Sequence, residues 1–336
     1  MKRTLLALLA TLVTLAAACG DEATQRPATG TIAPLTDVTV ILDWTPNTNH
    51  TGLYVARDNG WYAEQGLNVT IIQPGSTDAI QAVASGQAQF GVSVQESVIP
   101  AREQGIPVVS IAAVVQHNTS SLMSLASDNI TRPRNMAGKT YGGFGGPLES
   151  ALIGKLVSCD GADPSAVKFV EVGNVDYLVG MDRNRFDVAW IFDAWDGLRA
   201  SEVEHKTINR IRLVDHVDCI PDWYTPLLVT SESMISGEPD VVRNFMAATA
   251  KGYEYAMTNP NDAAKILLNA APELDPQLVM LSAEYLATRY VDTGRPWGLQ
   301  DAAIWERFEA FLREAGLTQA PIDVTKAYTN DFLPVK

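Results

Sequence analysis

The stretch VTIIQPGSTDAIQAVASGQAQFGVSV, residues 69–94, decides the fold. Val69–Gln73 is a short β-branched run, which reads as a strand. Pro74-Gly75 breaks it. Ser76-Thr77-Asp78 supplies an N-cap for the helix AIQAVASG, which closes at Gly86. Phe90–Val94 is the next strand. A strand, a crossover helix and a second strand in so short a span predict a parallel pair. Working outward, Val38–Leu42 is another strand and His50–Asn59 a helix closing at Gly60. On the other side, Gln95–Gln104 is a helix ending at Gly105, and Val108–Val115 is again strand-like.

The rhythm restarts after Pro133. Lys139-Thr140-Tyr141 is a strand leading into Gly142-Gly143-Phe144-Gly145-Gly146-Pro147, with a helix over 148–158. Val167–Val172 and Val188–Phe192 are strands. After one more strand from Pro226, the chain reads as helices over 240–256, 262–270, 276–289 and 300–315. The fold class is α/β: two lobes, two crossings near 124–134 and 216–226, a hinge, and an interlobe cleft. Lobe 1 is expected over 37–125 plus 226–336, and lobe 2 over 126–225. No internal repeat is evident.

The first residues stand apart. Lys2 and Arg3 precede the apolar stretch Leu5–Ala18, which ends in small residues before Cys19. This predicts a secretory signal over 1–18, too short to be a membrane span. Cys19 is the expected lipidation site, with 19–36 (CGDEATQRPATGTIAPLT) as a lipid-anchored tether. Cleavage removes Lys2 and Arg3 and moves the net charge from −14 to −16. So acidic a body, without a basic stripe, argues against nucleic-acid binding.

The residues do not suggest catalysis. His50, His117, His205 and His216 have no metal-ligand spacing, and neither a G-x-S-x-G elbow nor a phosphate-loop motif is present. No metal or cofactor is expected. GGFGGP lacks both the third dinucleotide-binding glycine and a following Lys. Its simpler reading is a set of backbone N–H groups at a helix start, offered to a ligand edge. Cys159 and Cys219 read either as a disulfide or as two buried thiols. Aromatic residues beside polar ones at strand ends carry the functional signal. Ligands of open α/β sheets bind at the carboxyl ends of strands, where indole faces suit a flat ring. Trp61, Trp297 and Trp305 read as core, and Trp190 fits either role. Trp44 and Trp195, beside turns, read as ligand-facing.

At this point a family comes into view. LDWTPNTNHTGLYVARDNGWYAEQGL, GGFGGPLE, DVAWIFDAWDG, DWYTPLLVTSE and TNDFLP, in that order, resemble ABC-importer solute-binding proteins of the thiamin-pyrimidine branch, which also holds riboflavin binders. The similarity spans 38–334. It implies a two-lobed protein that closes on a small ligand and docks on a membrane permease, held to the membrane by its lipid. By motif match the ligand-facing residues would be Trp44, Asn47, His50, Gln95, Phe144, Gly145, Glu149, Trp190, Asp193, Trp195 and Tyr224. Relative to pyrimidine binders, Phe144, Gly146 and Asp193 widen the slot and add an acceptor. That favours riboflavin over formylaminopyrimidine or hydroxymethylpyrimidine. Synthases of this fold carry a cysteine-rich stretch that the chain lacks, so a non-enzymatic role is expected.

Overall fold

The computed structural model describes residues 34–173 and 175–334. The signal over 1–18, Cys19 and nearly all of the tether lie outside the described residues. Strands β1 (Thr36–Ile41), β2 (Leu67–Ile72), β3 (Phe90–Ser93) and β4 (Val108–Ala113) alternate with helices α1 (Thr51–Asp58), α2 (Trp61–Glu64), α3 (Ala79–Ala84) and α4 (Gln95–Glu103). The chain then crosses to β5 (Ser120–Leu125), β6 (Thr140–Gly143), α5 (Pro147–Cys159), β7 (Lys168–Glu171), α6 (Tyr177–Asp182), β8 (Val188–Phe192) and β9 (Ile208–Arg212). It returns with β10 (Leu227–Ser231). Helices α7 (Glu232–Gly237), α8 (Pro239–Thr258), α9 (Pro260–Ala270), α10 (Pro276–Ala287) and α11 (Ala302–Glu314) follow.

Two five-stranded sheets result, ordered β2-β1-β3-β10-β4 and β7-β6-β8-β5-β9. In each, four strands run in one direction. β1 pairs with β2 from Thr36–Leu67 to Ile41–Ile72, and β6 pairs in parallel with β7 and β8. Each sheet also takes one antiparallel strand, and in both cases it is the strand that follows a crossing. β10 lies antiparallel between β3 and β4, and β5 between β8 and β9. The first crossing is therefore 114–119, earlier than the 124–134 expected from sequence. β5 reads SSLMSL, whose serines suggest a connector. Buried between two strands, those serines nonetheless form a full ladder.

The C-terminal helices complete the first lobe. Val242, Phe245, Met246 and Tyr253 of α8 share one buried cluster with Val40, Leu53 and Phe90. The rings of Phe90 and Phe245 stack at 3.8 Å. Helices α1 and α8 meet backbone to backbone: a Cβ on Gly252 would lie 2.0 Å from the carbonyl oxygen of Gly52. Only glycine allows so close an approach. Cys159, at the end of α5, is disulfide-bonded to Cys219 near the second crossing. That closes the alternative the sequence left open.

Candidate functional site

The carboxyl ends of the parallel strands carry four segments: 42–50 after β1, 94–95 after β3, 144–146 after β6 and 193–197 after β8. In the first, Asn47 caps a short 3-10 turn, its Oδ1 accepting the N–H of Asn49 at 2.9 Å while Nδ2 donates to the carbonyl of Thr45. His50 is fully buried. Its Nδ1 accepts the backbone N–H of Asn47 at 3.2 Å, so the ring proton sits on Nε2 and is donated to Asp43 Oδ1 at 2.7 Å. Both ring nitrogens are thus engaged inside the loop. His50 is expected from sequence to face the ligand; the structure makes it the brace of a loop from which Trp44 projects, 41% exposed.

The glycine loop repeats this logic. The carboxylate of Glu149 accepts the N–H of Phe144 (3.1 Å) and the hydroxyl of Tyr141 (2.7 Å) on Oε1, and the N–H of Gly146 (3.0 Å) on Oε2. The chain's own carboxylate therefore fills the anion position at the start of α5, and those N–H groups are not offered to a ligand edge. Gly145 sits at φ +78°, where a side chain would be strained and would press on Glu171. The turn leaves Phe144 at its tip, 59% exposed.

Beyond β8 the backbone winds as π-helix over Asp193–Gly197 and Arg199–Val203, a rare conformation that often marks functional sites. Asp193 is buried, and burial raises its pKa. Its Oδ2 accepts from the hydroxyl of Ser121 at 2.8 Å, and Oδ1 lies 3.7 Å from Arg210 Nε. Only half of the acceptor that the sequence assigns to a ligand is thus committed within the second lobe, since Oδ1 has no hydrogen-bond partner among the described residues. Trp195, half-buried, reaches across to pack on the first lobe's core cluster. Gln277 Nε2 of α10 donates to the carbonyl of Glu202 at 3.3 Å, a second tie between the lobes.

At the hinge, Gln95 and Tyr224 grip each other twice. The N–H of Gln95 donates to the carbonyl of Tyr224 (3.0 Å), and the N–H of Tyr224 donates to Gln95 Oε1 (2.8 Å). The Tyr224 phenol is fully buried and accepts the N–H of Asp301 at 2.8 Å. Burial raises its pKa. Tyr224 is therefore a packing residue in this structure rather than a cleft wall. Trp190 is half-buried and meets Trp223 edge-on at 5.9 Å.

Sequence reasoning notes Trp223, beside Tyr224 at the second crossing, as one of the aromatic residues next to polar ones, and passes over Glu96. Trp223 Nε1 donates to Glu96 Oε2 at 2.9 Å. Burial pushes the Glu96 carboxyl up to about 7, and Asp43 nearby adds to the rise. Glu96 follows Gln95 at the start of α4, and a carboxylate in a helix's first turn reads as ordinary dipole pairing. Its burial comes from the long-range approach of 223, which no local pattern encodes.

The formylaminopyrimidine-binding protein of Halalkalibacterium halodurans is 31% identical over 303 residues, covering 88% of this chain and 90% of its own. The riboflavin-binding protein RibY of Chloroflexus aurantiacus is 28% identical over an aligned length of 360, covering 99% of each. A 4-amino-5-hydroxymethyl-2-methylpyrimidine phosphate synthase of Legionella pneumophila is 26% identical over 303 residues, covering 88% and 92%. Among solved structures, the periplasmic aliphatic sulphonate binding protein SsuA of Escherichia coli superposes with a TM-score of 0.68 at 10% identity, over 89% of this chain and 94% of that one. This shows the periplasmic-binding-protein-like fold. The family model described as NMT1/THI5 like matches residues 47–263. The chain belongs to the NMT1/THI5 like family.

Proposed function

We propose that this protein is the extracytoplasmic solute-binding component of an ABC importer, and that it captures a flat heteroaromatic vitamin, riboflavin in the first instance. One observation carries the reading. Each lobe presents an exposed aromatic side chain, Trp44 and Phe144, on a loop at the carboxyl end of a parallel strand. The polar groups around them are engaged in bracing those loops rather than poised for proton transfer. Exposing large aromatic faces on braced loops suits capture of a flat ring by stacking. Trp195 and Trp190 stand near the lobe junction as further contacts. Acylation of Cys19 would hold the body at the membrane beside its permease, with two or more chains needed for stable attachment.

A thiamin pyrimidine such as formylaminopyrimidine is the second reading, favoured by the 31% identical relative. A synthase reading has less support, since Cys159 and Cys219 are joined and no free thiol remains among the described residues. Titration of riboflavin with the purified chain, followed by flavin fluorescence, tests the proposal. Saturable quenching at one ligand per chain, without turnover, is the expected result. No quenching together with tight pyrimidine binding selects the second reading, and turnover of either ligand overturns both.

A further inference from the structure

Three residues in contact with 222–224 carry buried hydrogen-bond donors that find no acceptor among the described residues: Gln95 Nε2, Asn118 Nδ2 and Trp190 Nε1. Amide orientation is often ambiguous, but here the backbone fixes it. Gln95 must turn Oε1 toward the N–H of Tyr224, so its NH2 faces away. Asn118 must turn Oδ1 toward the N–H of Ser120 at 2.7 Å, so its NH2 is likewise the free end. The indole of Trp190 can only donate. Gln95 and Asn118 are 0% and 2% exposed.

The three come from different parts of the molecule. Gln95 opens α4 in the first lobe, Asn118 lies in the first crossing, and Trp190 lies on β8 in the second lobe. Each is tied to the second crossing. Gln95 grips Tyr224. The N–H groups of Asn118 and Trp223 share Asp222 Oδ1, each at 3.0 Å. Trp190 meets Trp223 edge-on. Ser120, whose Oγ also lacks a partner, pairs with Phe192, and Leu122 pairs with Trp190, so Ser120 shares a sheet face with Trp190. A buried donor without an acceptor is costly, and proteins keep few of them. Three on residues that border both the lobes and the hinge suit an acceptor supplied from outside the chain.

We propose that this donor set selects ligands by an acceptor-bearing edge: a heteroaromatic ring carrying oxo groups, as in a pyrimidinedione, in preference to one whose edge presents an amino group. The inference rests on the proposed binding function and narrows its ligand class. An oxo edge offers lone pairs to all three donors, whereas an amino edge would set donor against donor and leave both unpaired. Such mismatches discriminate strongly between analogues.

Near-isosteric variants remove the donors and keep the acceptors that the fold uses. Gln95→Glu keeps an oxygen for Tyr224 and Asn118→Asp one for Ser120, each assayed across a pH series up to where the new carboxyl is ionised and cannot donate, and Trp190→Phe deletes the N–H alone. Each full-length variant is titrated with riboflavin and with hydroxymethylpyrimidine, and its thermal midpoint is recorded to confirm folding. Riboflavin affinity is expected to fall roughly tenfold or more in each variant that folds, with pyrimidine affinity falling less. Folded variants that bind riboflavin as the wild type does, or that weaken both ligands equally, overturn the inference and leave the binding function standing. So does a wild type that binds only the aminopyrimidine. A wild type that binds neither overturns both. Should Trp190→Phe fail to fold, the two amide variants decide.

Discussion

Nδ1 of His117, in the first crossing, lies 2.6 Å from Oδ2 of Asp222, in the second, so one ion pair ties the two hinge segments together. Nε2 of the same ring reaches Asp292 at 3.1 Å. The hydrogen bond that His117 donates to Asp222 is the largest cause of a His117 pKa raised to about 9 from its ordinary 6.5, and Asp292 adds to it. A raised histidine pKa contributes stability that is complete below the unfolded value and lost as pH rises through the folded one. The thermal midpoint should therefore decline between about pH 6.5 and 9, a decline that His117→Gln flattens. The ring is half-exposed, so salt should weaken the effect. A pH profile unchanged by the substitution would sink the assignment.

Glu96 titrates in the same direction for a different reason. Its carboxyl is pushed up to about 7, chiefly by burial, so the folded state prefers it protonated. The associated stability is complete below the ordinary value of 4.5 and lost as pH rises through 7. Because Trp223 donates to this carboxyl, indole emission should change across the same interval. Glu96→Gln should abolish that step, and emission that still titrates near 7 in the variant would assign the change elsewhere.

Trp44 and Phe144 should separate binding from folding. Both are exposed and stand outside the core clusters. Replacing either with Ala should leave stability within about 0.5 kcal/mol. Each should weaken the flat ligand by roughly 1–3 kcal/mol if the rings stack as proposed. Chemical denaturation and ligand titration on the same preparations check this, and unchanged affinity in both variants would remove these rings from the site.

Glu149 should behave in the opposite way. Its removal leaves the Tyr141 hydroxyl and the N–H groups of Phe144 and Gly146 without their acceptor. Glu149→Ala should cost about 1–3 kcal/mol of stability, with Glu149→Gln losing less because one amide oxygen can still accept. Denaturant midpoints for the pair are the measurement, and Ala and Gln variants as stable as the wild type would contradict the bracing role.

The parallel strands were legible because they are β-branched runs: Val38–Leu42, Val69–Gln73 and Val188–Phe192 are strands in the structure within a residue or two. β9 reads INRIR, where charge alternates with apolar residues in a half-buried edge strand, so neither it nor the serine-rich β5 presents a β-branched run. The π-helical stretch at Asp193 reads locally as a turn, since no side-chain period announces that winding. At the site, the aromatic tips could be read from sequence while the polar roles could not. His50 and Glu149 each stand three residues after a cap position, Asn47 and Gly146, and each reaches back to that residue's N–H. That spacing is a capping signature visible in the sequence, and it competes with a ligand-facing reading of the same residues. The pairing of Gln95 with Tyr224 across 129 positions is beyond any local pattern.

Because β10 must enter between β3 and β4, the first lobe is completed by the last third of the chain. The second sheet, from Ser120 to Arg212, is contiguous and can assemble from its own sequence while the first waits. Assembly order and synthesis order are therefore at odds: the lobe begun first closes last, through pairings of high sequence separation that are intrinsically slow. A chain cut anywhere between Leu125 and Leu227 leaves its N-terminal fragment with a gap in the middle of a sheet rather than a finished domain.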